Sequence, residues 1–185
     1  MLKTSLTALK ITLLMIIFTG LIYPVIVWGI GQAFFRDKAN GSIVTKNGVA
    51  VGSMLLAQKF DSPKYFHSRP SATNFGLNSG ASNLAESNRT LIDRIGNDIK
   101  TLKDENPNEK IPLDMLTTSA SGFDPDISIA AALFQVKRIA KARNTTAEKL
   151  KEIINQNIER PFLGFNGESR VNVLNLNLIL DEKIK

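Results

Sequence analysis

From Ile11 to Phe35 the chain reads ITLLMIIFTGLIYPVIVWGIGQAFF, with no charge between Lys10 and Arg36. A helix of roughly 25 residues at about 1.5 Å per residue is on the order of 37 Å long. That exceeds the roughly 30 Å hydrocarbon core of a bilayer, so the segment can span it with some tilt. Lipid offers no hydrogen-bond partners, and a lone spanning segment must therefore be helical. Lys3 and Lys10 suit the positive flank of a signal peptide, but the apolar run is about twice the usual length of such a core and no A-x-A site follows. The expectation is a retained anchor. Pro24 near mid-span removes one backbone donor and predicts a kink. Gly20, Gly29 and Ala33 are small, and Gly29-x-x-x-Ala33 places two of them on one face, where another transmembrane helix can approach closely. Tyr23 and Trp28 lie well inside the run and do not mark a headgroup belt.

About 150 residues remain beyond the span, enough for one domain with its own core. A hydrophobic content of 43% and a charged content of 22% are those of an ordinary folded protein. The net charge of +6 is mild and no stretch clusters cations, so nothing points to a nucleic-acid partner. The absence of cysteine excludes disulfides and thiolate metal sites. Lys3 and Lys10 on one side of the span balance Arg36, Lys38 and Lys46 on the other, so charge alone does not orient it.

Short β-branched pieces, Ser42 to Thr45 and Val49 to Ser53, flank Lys46-Asn47-Gly48 and predict a hairpin. Asp61 to Asn83 is rich in Pro, Gly, Ser and Asn without a sustained period. Its aromatics Tyr65, Phe66 and Phe75 argue for an ordered loop pinned by side chains. Three helices are expected next. The first, capped by Ser87 or Asn88, carries Leu91, Ile92, Ile95, Ile99 and Leu102 at helical spacing. The second spans about Ser128 to Arg143 and presents Ile129, Ala132, Leu133, Val136, Ile139 and Ala140 to the core. The third opens on the capping box Thr145-Thr146-Ala147-Glu148 and buries Leu150, Ile153, Ile154 and Ile158. Leu113 to Ser119 reads as a short strand and Arg170 to Val173 as another, while Leu174 to Leu180 suits either a strand or a short helix. The domain is of mixed α/β class.

The single histidine, His67, excludes multi-histidine zinc sites. Ser68, Ser119, Ser121 and Asp61 leave a hydrolytic triad on His67 open, although no G-x-S-x-G frames a serine. Neither G-x-x-x-x-G-K-[ST] nor G-x-G-x-x-G is present. Asp124-Pro125-Asp126 lacks the further ligands of a calcium loop and reads as a turn leading into the helix at Ser128. Arg69 could pin the loop by hydrogen bonds or stack on Tyr65 or Phe66.

The order NGS (40–42), AQKF (57–60), YFHSRPSAT (65–73), SGASNL (79–84), TSASGFDPDIS (118–128), QVKRIAKARN (135–144) and VNVLNLNLILD (171–181) resembles the C subunit of the Kdp-type potassium-transporting P-type ATPase. The likeness runs nearly end to end. It departs where that pattern has Pro at Ile129, Lys137 and Ser169, Gly at Ala57 and Ala81, and Glu at Asn175. The resemblance implies a single N-terminal transmembrane helix plus one mixed α/β (α+β) extracytoplasmic domain with about three helices and a small sheet. It implies a cytoplasmic tail over residues 1–10, a span over 11–35 and a domain over 36–185, in a bacterial plasma (inner) membrane. The implied partners are a channel-like potassium-binding subunit, a P-type ATP-hydrolysing subunit, a small single-span subunit and membrane lipid. The subunit would be accessory, with no catalytic residue, no metal and no cofactor of its own. ATP would enter through the partner, in a role described for the family as that of a catalytic chaperone raising ATP affinity. Gln135 corresponds to the glutamine implicated in nucleotide binding, whereas its place on a helix favours a buried or capping hydrogen bond. Tyr65, Phe66, His67, Ser68, Arg69, Pro70 and Ser71 form the expected partner-contact loop, and Gly20, Pro24, Gly29 and Ala33 the transmembrane packing face.

Overall fold

A computed structural model describes residues 2–184. Met1 of the expected tail and Lys185 of the expected domain lie outside them. The chain divides into two compact units after Ile43.

The first unit is built on one apolar rod, α1 (Leu2–Phe34), long and apolar enough to cross a membrane. It begins well before Ile11, so Lys3 and Lys10 ride on the helix rather than on a separate tail. The apolar run is helical throughout, and Pro24 does not break it. Instead an α-helix over Leu2–Ile17 passes through a π-turn at Phe18–Ile22 into a second α-helix, Tyr23–Phe34. The wider turn sits just ahead of the proline ring, which would otherwise meet the carbonyl four residues back. A single turn of helix, Arg36–Ala39, follows, and Asn40 folds back to exchange hydrogen bonds with Gln32.

At the start of the second unit, β1 (Ile43–Lys46) pairs with β2 (Val49–Ser53). Asn47 and Gly48 both take positive φ, 53° and 78°, as a two-residue primed turn demands. After the long loop comes α2 (Arg89–Glu105), capped by Asn88, whose side chain accepts from the Thr90 amide. Its apolar stripe is less covered than its period suggests. Ile92 is 47% exposed, and Leu102 is the residue of the stripe that packs on the core. Leu113 to Ser119 is not a strand: a 3-10 turn at Leu113–Met115 directs Met115 inward, and Asp114 is spent on the amide and hydroxyl of Ser128.

The domain is organised around a short antiparallel pair, β3 (Asp126–Ser128) and β4 (Arg170–Asn172), with Ile127 opposite Val171. A helix leaves the end of each strand: α3 (Ile129–Ala142), capped by Ser128, and α5 (Val173–Lys183), capped by Asn172. The ambiguous segment after Asn172 is thus a helix. Leu174, Leu176 and Leu180 are buried with the polar Asn177 among them, while the apolar Leu178 and Ile179 lie on the half-buried side, so polar and apolar residues do not sort into two faces and the period is lost in sequence. Between them α4 (Ala147–Gln156), capped by Thr146, packs on α3. The core holds Phe66, Ile127, Val136, Ile139, Leu150, Ile153, Ile154, Val171, Val173, Leu176 and Leu180. On α3 the expected face is displaced: Leu133 is 38% exposed, whereas Ala131, Phe134 and Gln135 are buried. Among the described residues there is thus one helix fit to span a membrane, with a mixed α/β fold in the second unit.

Candidate functional site

Consecutive residues of an extended chain present their N–H and C=O groups to opposite sides. The segment Phe66–His67 uses this to thread between two helices. Asn177 on α5 accepts from the Phe66 amide at 2.8 Å and donates to the Phe66 carbonyl at 2.9 Å. Gln135 on α3 does the same for His67, at 2.8 Å and 3.0 Å. A carboxamide offers a donor and an acceptor side by side on one planar group; a carboxylate lacks the donor and a cation lacks the acceptor. Phe66 itself is 0% exposed and is a core residue carried by the loop.

Two arginines complete the attachment. Arg138 donates to the carbonyls of Pro63 and Tyr65 and to Gln135 Oε1, and pairs with Glu105. Arg143 donates to Lys64 O and Ile184 O, pairs with Asp181 at 2.8 Å, and lies 4.9 Å over the Tyr65 ring. Of the two uses open to Arg69, stacking on Tyr65 falls to Arg143 and hydrogen bonding stays with Arg69. Gln135 is 0% exposed, and its oxygen and nitrogen are both engaged, with Met115 Sδ completing the set.

His67 has its pKa lowered from the ordinary value. Burial lowers its pKa most, the Arg138 charge lowers it further, and the hydrogen bond to Ser62 O opposes them. Its Nε2 meets Ser62 O at 3.1 Å. Among the described residues no serine hydroxyl bonds to this ring, and Ser68 Oγ is buried without a partner. The triad left open by the sequence is not assembled.

Arg69 leaves the loop in the other direction. It bonds the carbonyls of Thr117 and Thr118, the Thr117 hydroxyl, and Asp124 at 3.0 Å. Asp124 also accepts from the Asp126 amide, the turn anticipated for Asp124-Pro125-Asp126. Pro70 and Ser68 border a cavity of about 180 Å³ over Met115. Ser71 Oγ accepts from the amides of Thr73 and Phe75, holding Asn74 and Phe75 at positive φ.

These bonds bring three distant stretches together. Gly80 N–H and Ser79 Oγ both donate to Ser121 O, and the Ala57 amide donates to Phe123 O at 2.9 Å. Gly122 sits at φ +73°, and a Cβ there would come within 3.0 Å of Gly80 O and Thr73 Oγ1. Glycine is required by the contact as well as by the turn. Leu55, Leu56, Arg69, Leu77 and the 118–125 turn line an open groove of about 890 Å³. Leu77 stands fully exposed beside the half-exposed Leu55 and Leu56. Nothing in the sequence distinguished these three leucines from core residues. Phe162, Leu163 and Phe165, exposed on the turn before β4, were equally unmarked.

Gly20, Pro24, Gly29 and Ala33 are all residues of α1. Cβ atoms on Gly20 and Gly29 would meet nothing within 4 Å.

A family model described as KdpC, K+-transporting ATPase, c chain, matches residues 5–182. Similar proteins bear the name potassium-transporting ATPase KdpC subunit. The one from Koribacter versatilis is 45% identical over 182 residues, covering 97% of this chain and 94% of its own. That from Bradyrhizobium diazoefficiens is 45% identical over 196 residues, covering 98% of each chain. That from Janthinobacterium sp. (strain Marseille) is 44% identical over 182 residues, covering 95% of this chain and 96% of its own.

Proposed function

The chain belongs to the KdpC family of K+-transporting ATPase c chains, and from that membership we propose that it is a non-catalytic assembly and regulatory subunit of an ATP-driven potassium importer. One observation carries the proposal. The segments SRPSAT and TSASGFDP converge on an open groove edged by unpartnered leucines, and not on a set of reacting groups. Exposed apolar side chains rimmed by hydroxyls and Arg69 are what a protein contact uses. The occupant of the groove is the channel-like subunit, on the outer side of the membrane, with the amino terminus of α1 inside and the span docked on partner helices.

ATP dependence reaches this chain through the hydrolysing subunit. The influence of Gln135 on ATP affinity is exerted at a distance: the carboxamide holds the Phe66–His67 strand, and that strand holds Arg69 and the groove edge. A direct ATP contact would need the carboxamide to give up its present bonds.

Affinity purification of the full chain in mild detergent tests this reading. Co-purification of a large P-type ATPase and a multi-span channel-like protein is expected, and Leu77→Asp should reduce it. Deleting residues 61–83 is a poorer test, because it also removes Phe66 from the core. A wild-type chain recovered alone would refute the proposal.

A further inference from the structure

The membrane helix has more hydrogen-bond acceptors than donors at its middle. Tyr23 N–H reaches back five residues to Phe18 O, and Pro24 has no N–H. From Tyr23 onward the i→i−4 register resumes, so the Ile26 amide serves Ile22. Three carbonyls, those of Thr19, Gly20 and Leu21, lie between Phe18 and Ile22. The amide of Val25 is the one main-chain donor left for them, and two of the three go without. The Thr19 hydroxyl does not fill the gap, because it donates to Met15 O at 2.7 Å. All of these residues are exposed, and a Cβ on Gly20 would find open space. In hydrocarbon such carbonyls need a donor from outside the helix backbone, and a side chain of a neighbouring helix is one source.

We propose that the Thr19–Leu21 carbonyls form a recognition notch for a hydrogen-bond-donating side chain, a hydroxyl or a carboxamide, on a transmembrane helix of another subunit. This rests on the reading of the chain as one subunit of a membrane complex. Polar complementarity selects the occupant: two acceptors beside a residue without a side chain require donors at the same depth. A second copy of this chain would bring Thr19, already bonded, and the Tyr23 hydroxyl, and a crosslink from Leu21 separates that case from another subunit. The notch also explains why a π-turn and a proline stand together: the turn shifts the register and leaves one carbonyl unmatched, the proline removes one donor, and the glycine inside the turn clears the approach. Small-residue packing at Gly29 and Ala33 gives closeness, whereas the notch adds a demand on chemistry.

The test uses the full chain in its complex. A photo-crosslinking benzoylphenylalanine at Leu21 should label a transmembrane segment of a co-purifying subunit, within one turn of a Ser, Thr, Asn or Gln. Gly20→Leu, which blocks the notch, should lower co-purification roughly three- to tenfold, the scale of one or two interhelical hydrogen bonds. Pro24→Ala, which returns a main-chain donor, should lower it as well. The isolated variants should keep the helical circular dichroism of the wild type in micelles. Labelling of a second copy or of lipid alone, or undiminished co-purification of both variants, would overturn the proposal. A wild-type chain that co-purifies with no membrane subunit would instead remove the complex itself, and the notch with it.

Discussion

Replacing Gln135 by alanine separates a structural carboxamide from a nucleotide ligand. The change strips His67 of the partners of both its N–H and its C=O, and takes an acceptor from Arg138. A buried group left unsatisfied costs about 1–3 kcal/mol. His67 is only partly buried and Asn177 still holds Phe66, so the lower half of that range applies to each orphaned group. The sum is about 2–4 kcal/mol, a large share of the stability of a domain this size. With a urea slope of about 2 kcal/mol/M, the unfolding midpoint should fall by about 1–2 M. Circular dichroism of the full chain in mild detergent is the suitable assay, because the sole tryptophan, Trp28, lies in the span. Gln135→Glu keeps the acceptor and loses the donor to His67 O, and should fall between wild type and alanine. An unchanged midpoint for Gln135→Ala, together with weakened ATP affinity of the complex, would refute the structural account and make Gln135 a direct ligand.

Other expectations follow from the same contacts. The depressed pKa of His67 means that the folded state binds its proton less readily than the unfolded one, whose value is 6.5. Stability is therefore whole above that pH and declines as pH falls from it toward the lower folded value, and His67→Gln, which can still donate to Ser62 O, should flatten the decline measured in urea melts. Phe66→Ala removes a fully buried ring and should cost about 3–5 kcal/mol, unfolding much of the domain at physiological temperature. Leu77→Asp should shift the melt by less than about 0.5 kcal/mol while reducing recovery of partner subunits, and equal losses of both would argue against the groove as a contact.

The amino-acid order by itself determined whatever depends on neighbours along the chain. An uncharged run of this length makes a helix long and apolar enough to cross a membrane, where lipid would leave its backbone no alternative. The Asn47-Gly48 turn, the cap at Asn88 and the apolar period of α4 follow from local sterics and hydrogen bonding, and were legible for that reason, whereas the capping box read from Thr145 gives way to a cap one residue later, at Thr146. Tertiary structure alone decided what depends on residues far apart. Leu174 to Leu180 is a helix whose buried face takes in the polar Asn177 and whose half-buried side carries the apolar Leu178 and Ile179, which blurs the period. Ile92 and Leu133 carry a core-like pattern that the packing leaves partly uncovered. Above all, the loop acquired its meaning from Gln135 and Asn177, whose carboxamides meet adjacent residues from two helices. A single glutamine in a helical pattern says nothing about which distant backbone will supply its donor and acceptor. That pairing exists only once burial has brought the chain together and left water no access to either group.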